Sequence, residues 1–168
     1  MAKTAETHTF EVLSFKENES RKLQFLTGLE ESLDIEFHWD YEKKIDAVCE
    51  FAMGKKTCAY CASPTRGMKS RVRTGFYVYD VDRSKIGVIC TLDSYNAVLP
   101  TLCDLEEEVG LKGNTFLIDR KGYTKDSAWA GMQVDNEDVE VEETGLAQAT
   151  KENMLHSIFE FWSNLGKK

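Results

Sequence analysis

Residues 71–92 read RVRTGFYVYDVDRSKIGVICTL. Val72, Thr74, Phe76, Tyr77, Val78, Tyr79 and Val81 make the first half rich in β-branched and aromatic side chains. That composition suits a pleated, half-buried strand. Asp82-Arg83-Ser84 reads as a hairpin connection, and Lys85 to Leu92 as the returning strand. Side chains alternate across a strand, so Val72, Thr74, Phe76 and Val78 share one face. Arg71, Arg73, Tyr77 and Tyr79 share the other. The first face is the expected core side. The second presents cations and then rings, with Gly75 between them leaving room for a backbone to come close.

Working outward, Phe10 to Phe15 and Arg21 to Thr27 read as further strands. Asp34 to Tyr41 alternates, with Ile35, Phe37, Trp39 and Tyr41 on one face. Thr115 to Asp119 and Ser127 to Val134 make a last pair around Lys121-Gly122. Val98, Leu102, Leu105 and Val109 recur at helical spacing, with Asp93 as a cap and Gly110 at the C-terminal end. Pro100 is awkward in a helix interior and is expected to divide this segment. About five short strands and one helix predict a mainly β (α+β) fold, a small closed or partly open barrel.

The chain divides into a core over 1–134, an acidic linker over 135–145 and an amphipathic helix over 146–168. Thr150 caps that helix; Met154, Leu155, Ile158, Phe159, Trp162 and Leu165 form one stripe. So much apolar surface must pack on the body, on a second copy or on a partner.

With 168 residues and 42% apolar side chains, the chain can bury a real core. Its net charge of −8 excludes a uniformly basic nucleic-acid coat and a polycationic membrane binder. The charge is uneven. Residues 135–143, DNEDVEVEE, carry six acids and no base. Residues 55–73 carry Lys55, Lys56, Arg66, Lys69, Arg71 and Arg73 and no acid. No apolar run is long enough to span a bilayer, and the opening MAKTAETHT does not read as a secretion signal. Five cysteines, an odd number, favour reduced thiols or metal ligands over a disulfide framework, and so a cytoplasmic setting.

Cys58-Ala59-Tyr60-Cys61 is a knuckle whose two sulfurs can grip one metal ion. Cys49 lies upstream, and His38 further upstream on the alternating strand. The spacing H-x10-C-x8-C-x2-C predicts one structural, four-coordinate zinc ion held by His38, Cys49, Cys58 and Cys61. If His38 is only a strand histidine, His8, an aspartate or water takes the fourth position. A redox C-x-x-C is the rival reading, though it expects a strand-to-helix setting with one exposed thiol. Cys90 and Cys103 fall within apolar patterns and read as small core residues.

The basic stretch follows the knuckle directly. Cations that track phosphates beside rings that stack on bases are what an unpaired nucleic-acid strand requires. The bland reading is that Tyr77 and Tyr79 merely cover the barrel while the cations are solvated. The acidic segment is either a solvated linker or a mimic of nucleic acid that competes for the basic site.

At these residues the sequence resembles the zinc-containing single-stranded-DNA-binding, helix-destabilising proteins of tailed bacteriophages. The motifs are FEVLSFKENESRKLQFL, EFHWD, CEFAMGKKTCAYC, the basic loop, FYVYDVD and LIDRKGYTKDSAWAGMQV, together spanning about residues 10–134. The resemblance implies an OB-fold-like barrel with an inserted zinc subdomain at about 38–66. It implies a cytoplasmic protein of the bacterial host that takes part in DNA replication and recombination. It implies Zn2+ on His38, Cys49, Cys58 and Cys61, and single-stranded DNA on Arg66, Lys69, Arg71, Arg73, Tyr77 and Tyr79; Lys55 and Lys56, from the same basic stretch, join these as candidate nucleic-acid contacts. An acidic C-terminal segment recruits replication proteins in that family. The chain departs from it in lacking a basic N-terminal arm, since residues 1–9 carry only Lys3. The terminal amphipathic helix is not a usual family feature.

A different class of function is a zinc-stabilised adaptor or regulator, binding a replication or transcription protein through Phe159, Phe161 and Trp162. Enzymatic activity is not expected. The sequence has no P-loop, H-E-x-x-H or Gly-x-Ser-x-Gly motif, and its acids cluster in a low-complexity tail.

Overall fold

The structure is a computed structural model that describes residues 7–62, 70–94, 97–122, 128–136 and 140–165, with Ser70 described in its backbone only. The predicted hairpin is its spine. Strands β5 (Ser70–Asp80) and β6 (Lys85–Leu92) pair antiparallel from Arg73↔Leu92 to Asp80↔Lys85. The turn is held by the buried Asp80 carboxylate, which accepts from the Arg83 N–H at 3.3 Å and pairs with Arg21 at 2.9 Å.

Strand β5 is long enough to serve two neighbours on its other side. Its end, Val78 to Asp80, pairs with β2 (Ser20–Phe25), and its start, Ser70 to Gly75, pairs with β3 (Leu33–Asp40). Tyr77 sits at the change of partner; its N–H donates to Thr27 Oγ1 and its carbonyl accepts from Leu26 N–H. Strand β4 (Ile45–Val48), which the sequence reading missed, pairs with β3. On the far side, β7 (Thr115–Lys121) joins β2, and β8 (Ala128–Val134) joins β7. Only Glu11–Val12 of the first apolar segment forms a strand, β1, which runs parallel to β6 at Gly87 and Val88.

The result is an open mixed sheet of eight strands, mainly β in content, and not a closed barrel. Among the described residues, β1, β4 and β8 each have one neighbour.

Both faces of the sheet are covered. Phe76 and Val78 join Leu23, Phe25, Phe116 and Ile118 in one core beneath α2 (Leu99–Glu108), which contributes Leu99, Leu102 and Leu105. Helix α2 begins later than expected, with Val98 and not Asp93 at its N-cap. Pro100 therefore falls in the first turn, where its missing N–H costs nothing. The opposite face forms a second core of Phe10, Ile35, Phe37, Val48, Tyr77 and Val88. Helix α4 (Lys151–Leu165) packs on it through Met154, Ile158 and Trp162.

The C-terminal amphipathic helix thus lies on its own body. Thr150 caps it as expected, its Oγ1 accepting from Asn153 N–H at 3.1 Å. The expected single helix over 146–168 is two, and α3 (Glu143–Gln148) begins inside the stretch read as linker. The N-terminal segment is tied to α4: His8 N–H donates to Asn153 Oδ1 and Phe10 N–H to Ser157 Oγ.

Candidate metal centre

Alternation along β3 sends Ile35 and Phe37 into the α4-side core and turns His38 to the opposite face. The β3–β4 hairpin then returns the chain so that Cys49 follows directly after Val48, which pairs with Phe37. Cys49 is locked in place by its N–H bond to the Glu36 carbonyl at 2.9 Å. A 3-10 turn over Glu50–Met53 ends on Gly54 at φ 79°, a left-handed position that glycine occupies without strain. The chain doubles back there, and Cys58 and Cys61 arrive around the single turn α1 (Ala59–Ala62).

The four predicted ligands converge. The Cys49 sulfur lies 3.9 Å from that of Cys58 and 3.8 Å from that of Cys61, and Cys61 Sγ is 3.2 Å from His38 Nε2. All four donor atoms fall within 4.8 Å of one another. A tetrahedral ion with metal–sulfur bonds of about 2.3 Å has sulfur–sulfur edges of about 3.8 Å. The two cysteine edges match that figure. Three sulfurs and an imidazole could therefore bind one metal ion. His38, Cys49 and Cys58 are buried while Cys61 is exposed, so one side of the site opens to solvent.

Three thiols this close do not ionise independently. Desolvation and the Cys58 and Cys49 sulfurs push the Cys61 thiol up to about 12. Cys58 is held below the ordinary thiol value: desolvation raises it, but donors from Cys61, Glu50 and Tyr60 outweigh that. A cation among the sulfurs removes the repulsion and favours thiolates.

Around the ligands, the Tyr60 ring stacks on His38 at 5.7 Å and 18°. Tyr60 Oη donates to Asp40 Oδ2 at 2.7 Å. Asp40 Oδ1 accepts from the N–H groups of Glu42 and Lys43 and fixes the β3–β4 turn. Those donors, with Lys43 first and the Tyr60 hydroxyl next, keep the Asp40 carboxyl below its ordinary value. Through Tyr60, the Asp40 carboxylate and the β3–β4 turn thus brace the face of the His38 ring.

The alternative ligand, His8, lies elsewhere, its ring 4.5 Å from that of Phe10. Cys90 and Cys103 are half-buried and stand outside the cluster. Burial pushes Cys90 up to about 12, so it stays a thiol.

The predicted nucleic-acid residues divide. Arg66 and Lys69 lie outside the described residues. Lys56 is exposed. Lys55 reaches over the Phe159 ring at 5.6 Å. Arg71 and Arg73 border the α4-side core. Arg73 sits between the rings of Phe37 and Trp162 at 5.5 and 4.9 Å, and bonds Asp46 Oδ2 at 2.6 Å. Arg71 stacks on Trp39 at 5.0 Å and lies 4.0 Å from the same carboxylate.

Tyr77 and Tyr79 do not form an exposed stacking row: they are 1% and 8% exposed. Tyr77 lies under α4, where its hydroxyl donates to the Thr150 carbonyl at 2.5 Å. Val72, expected in the core, is 51% exposed. The expected adaptor surface is also altered, because Trp162 is 9% exposed against Phe37, and Phe159 and Phe161 pack partly into the same core.

Sequence reasoning missed Asp46, the carboxylate between the two arginines, and the pair Arg120 and Trp129. These last two face each other across β7 and β8, with the guanidinium 5.7 Å from the ring centroid. Their adjacency across the Lys121-Gly122 turn was the available signal. No family model, curated protein or solved structure matches this chain. Among the described residues, no helix is long and apolar enough to cross a membrane.

Proposed function

We propose that the chain is a non-specific single-stranded-DNA-binding protein, of the phage replication and recombination kind it resembles, built around one structural zinc ion. The observation that carries this reading is the placement of the basic stretch. Residues 55–73 hold six cations and no acid in a chain of net charge −8. The metal-ligand knuckle lies within that stretch, and β5 takes up its end. Three cysteines and a histidine favour zinc over harder cations, and a site with four protein ligands leaves no open position for catalysis.

The acidic residues 135–143 act on the same site electrostatically, competing with phosphate. Removing residues 135–168 is a poor test of this, because α4 buries its own Met154 and Ile158, 1% and 0% exposed, in the second core, and deletion would uncover that face of the sheet. Replacing the six acids by Asn and Gln keeps the helix and is expected to tighten binding.

Titration of labelled oligo-dT at two salt concentrations, with duplex of equal length and a zinc assay on the same sample, tests the whole reading. Salt-dependent, single-strand-selective binding with one zinc per chain is the expected outcome. Absence of binding, or equal affinity for duplex, ends it.

A further inference from the structure

The two helix layers leave a gap at one sheet edge. Strand β1 pairs with β6 only at Gly87 and Val88, so Ile89 to Leu92 have no neighbouring strand on that side among the described residues. A groove of about 390 Å³ opens along this uncovered edge. Trp129 and Arg120 line it from the α2 layer, and Arg73, Phe161 and Trp162 from the α4 layer. It continues past Leu92 and Ser94, which it shares with a second depression bordered by Arg71, Val72 and Asp93.

Two properties of the groove indicate its occupant. Among its described lining residues the charged ones are Arg73 and Arg120, and none is acidic, in a chain that is acidic overall. Asp46 offsets part of the Arg73 charge from behind. The cations are paired with rings: Arg73 with Trp162 and Arg120 with Trp129. Trp129 and Phe161 are half-buried, and both line the groove. Tyr77 and Tyr79 are buried. An elongated, anionic ligand with flat apolar faces matches a basic, ring-lined track.

We propose that an unpaired nucleic-acid strand lies along the open edge of β6, entering beside Arg71 and placing a base in the groove against Trp129 and Phe161, with Arg120 on its phosphate. This rests on the proposed function and moves the stacking from Tyr77 and Tyr79 to rings contributed by β8 and by the C-terminal helix. Helix α4 becomes one wall of the binding track and not a separate docking arm.

The test uses the full chain and oligo-dT, comparing Trp129→Leu, Phe161→Ala and Arg120→Gln with Met132→Ser on the exposed face of β8. Circular dichroism and thermal melting establish that each variant is folded. Loss of a stacked base weakens binding roughly 5- to 150-fold. Arg120→Gln lowers the salt slope by about 0.7. Met132→Ser is expected to bind as the wild type does. Photocrosslinking of wild-type protein to 5-iodouracil oligonucleotide supplies a readout independent of folding, with adducts expected on Trp129 or Phe161. If wild type binds but the three groove variants bind equally well and adducts map elsewhere, the groove assignment is wrong and the function stands. If wild type binds no oligonucleotide, both fall. A synthetic peptide of residues 135–143 that binds in the groove while oligo-dT does not would identify an acidic peptide as the occupant and overturn the proposal.

Discussion

Gly75→Ala probes the contact that organises the α4 face. Gly75 lies mid-strand in β5, where glycine is costly in chain entropy, and its φ is not positive. Alanine there would ordinarily stabilise by about 0.4–1 kcal/mol by restricting the unfolded chain. An added Cβ, however, falls 2.7 Å from Met154 Sδ and 3.3 Å from Ile158 Cδ1. Non-bonded heavy atoms prefer about 3.5–4.0 Å, so the sulfur must retreat by about 1 Å. Overpacking of this kind costs about 1–3 kcal/mol. The clash outweighs the entropy gain, and the expected net loss is about 0.5–2 kcal/mol. At about 2–4 °C per kcal/mol for a chain of this size, the melting temperature falls by about 1–8 °C. The sharper assay is a double-mutant cycle in urea with Met154→Ala, which by itself should cost about 2–5 kcal/mol. With the sulfur gone, Gly75→Ala should become neutral or stabilising, a coupling of about 1–2 kcal/mol. Equal effects in both backgrounds, or stabilisation of the wild type, would refute the placement of α4 on Gly75.

On the proposed zinc site, treatment with a chelator should release the knuckle as a local unit, because the four candidate ligands lie outside both hydrophobic clusters. Limited proteolysis should then cut within residues 49–62 while α4 stays protected; simultaneous loss of both would show that the metal holds the whole fold. Asp46→Asn leaves Arg71 and Arg73 without their shared, buried carboxylate and should cost about 1–3 kcal/mol in urea unfolding. The same change adds positive charge beside the proposed track, so oligo-dT affinity should rise as stability falls; parallel losses would remove the arginines from binding. Burial, then the nearby Glu152 charge, raises the Tyr77 phenol far above its ordinary value. Its contribution is fully present below the unfolded pKa of about 10 and is lost as pH rises beyond it. Tyr77→Phe should cost about 1 kcal/mol at neutral pH and flatten the alkaline limb of the stability profile; an unchanged limb would mean that the phenol is free to ionise.

The metal cluster was legible in the sequence because its geometry is local. His38, Cys49, Cys58 and Cys61 are joined by short segments, and a strand, a hairpin return and a tight knuckle leave few ways to arrange four donors. The β5–β6 hairpin was legible for the same reason, since alternation and a turn fix register between neighbours. Alternation also assigned Phe76 and Val78 correctly to one core. It placed Arg73, Gly75 and Tyr77 together on the other face, and that too is observed.

What alternation cannot state is what covers a face. Arg73 and Tyr77 read equally well as a solvent-exposed cation–ring row or as the floor of a second core, because strand period reports direction and not depth. The answer came from residues far along the chain, when Met154, Ile158 and Trp162 landed on Gly75, Phe37 and Arg73. The apolar stripe of α4 required burial, a demand readable from composition, but hydrophobic attraction is non-directional and did not name the partner surface. Asp46 and the groove with Arg120 and Trp129 are of the same kind. They exist only where β4, β6, β7, β8 and α4 meet, and no sequence spacing encodes that meeting. The sequence by itself therefore determined most of the strands, the four residues that converge as candidate metal ligands and the need for a covered helix. Tertiary structure decided which rings were buried and which were left for a ligand, because exposure is a property of the assembled chain.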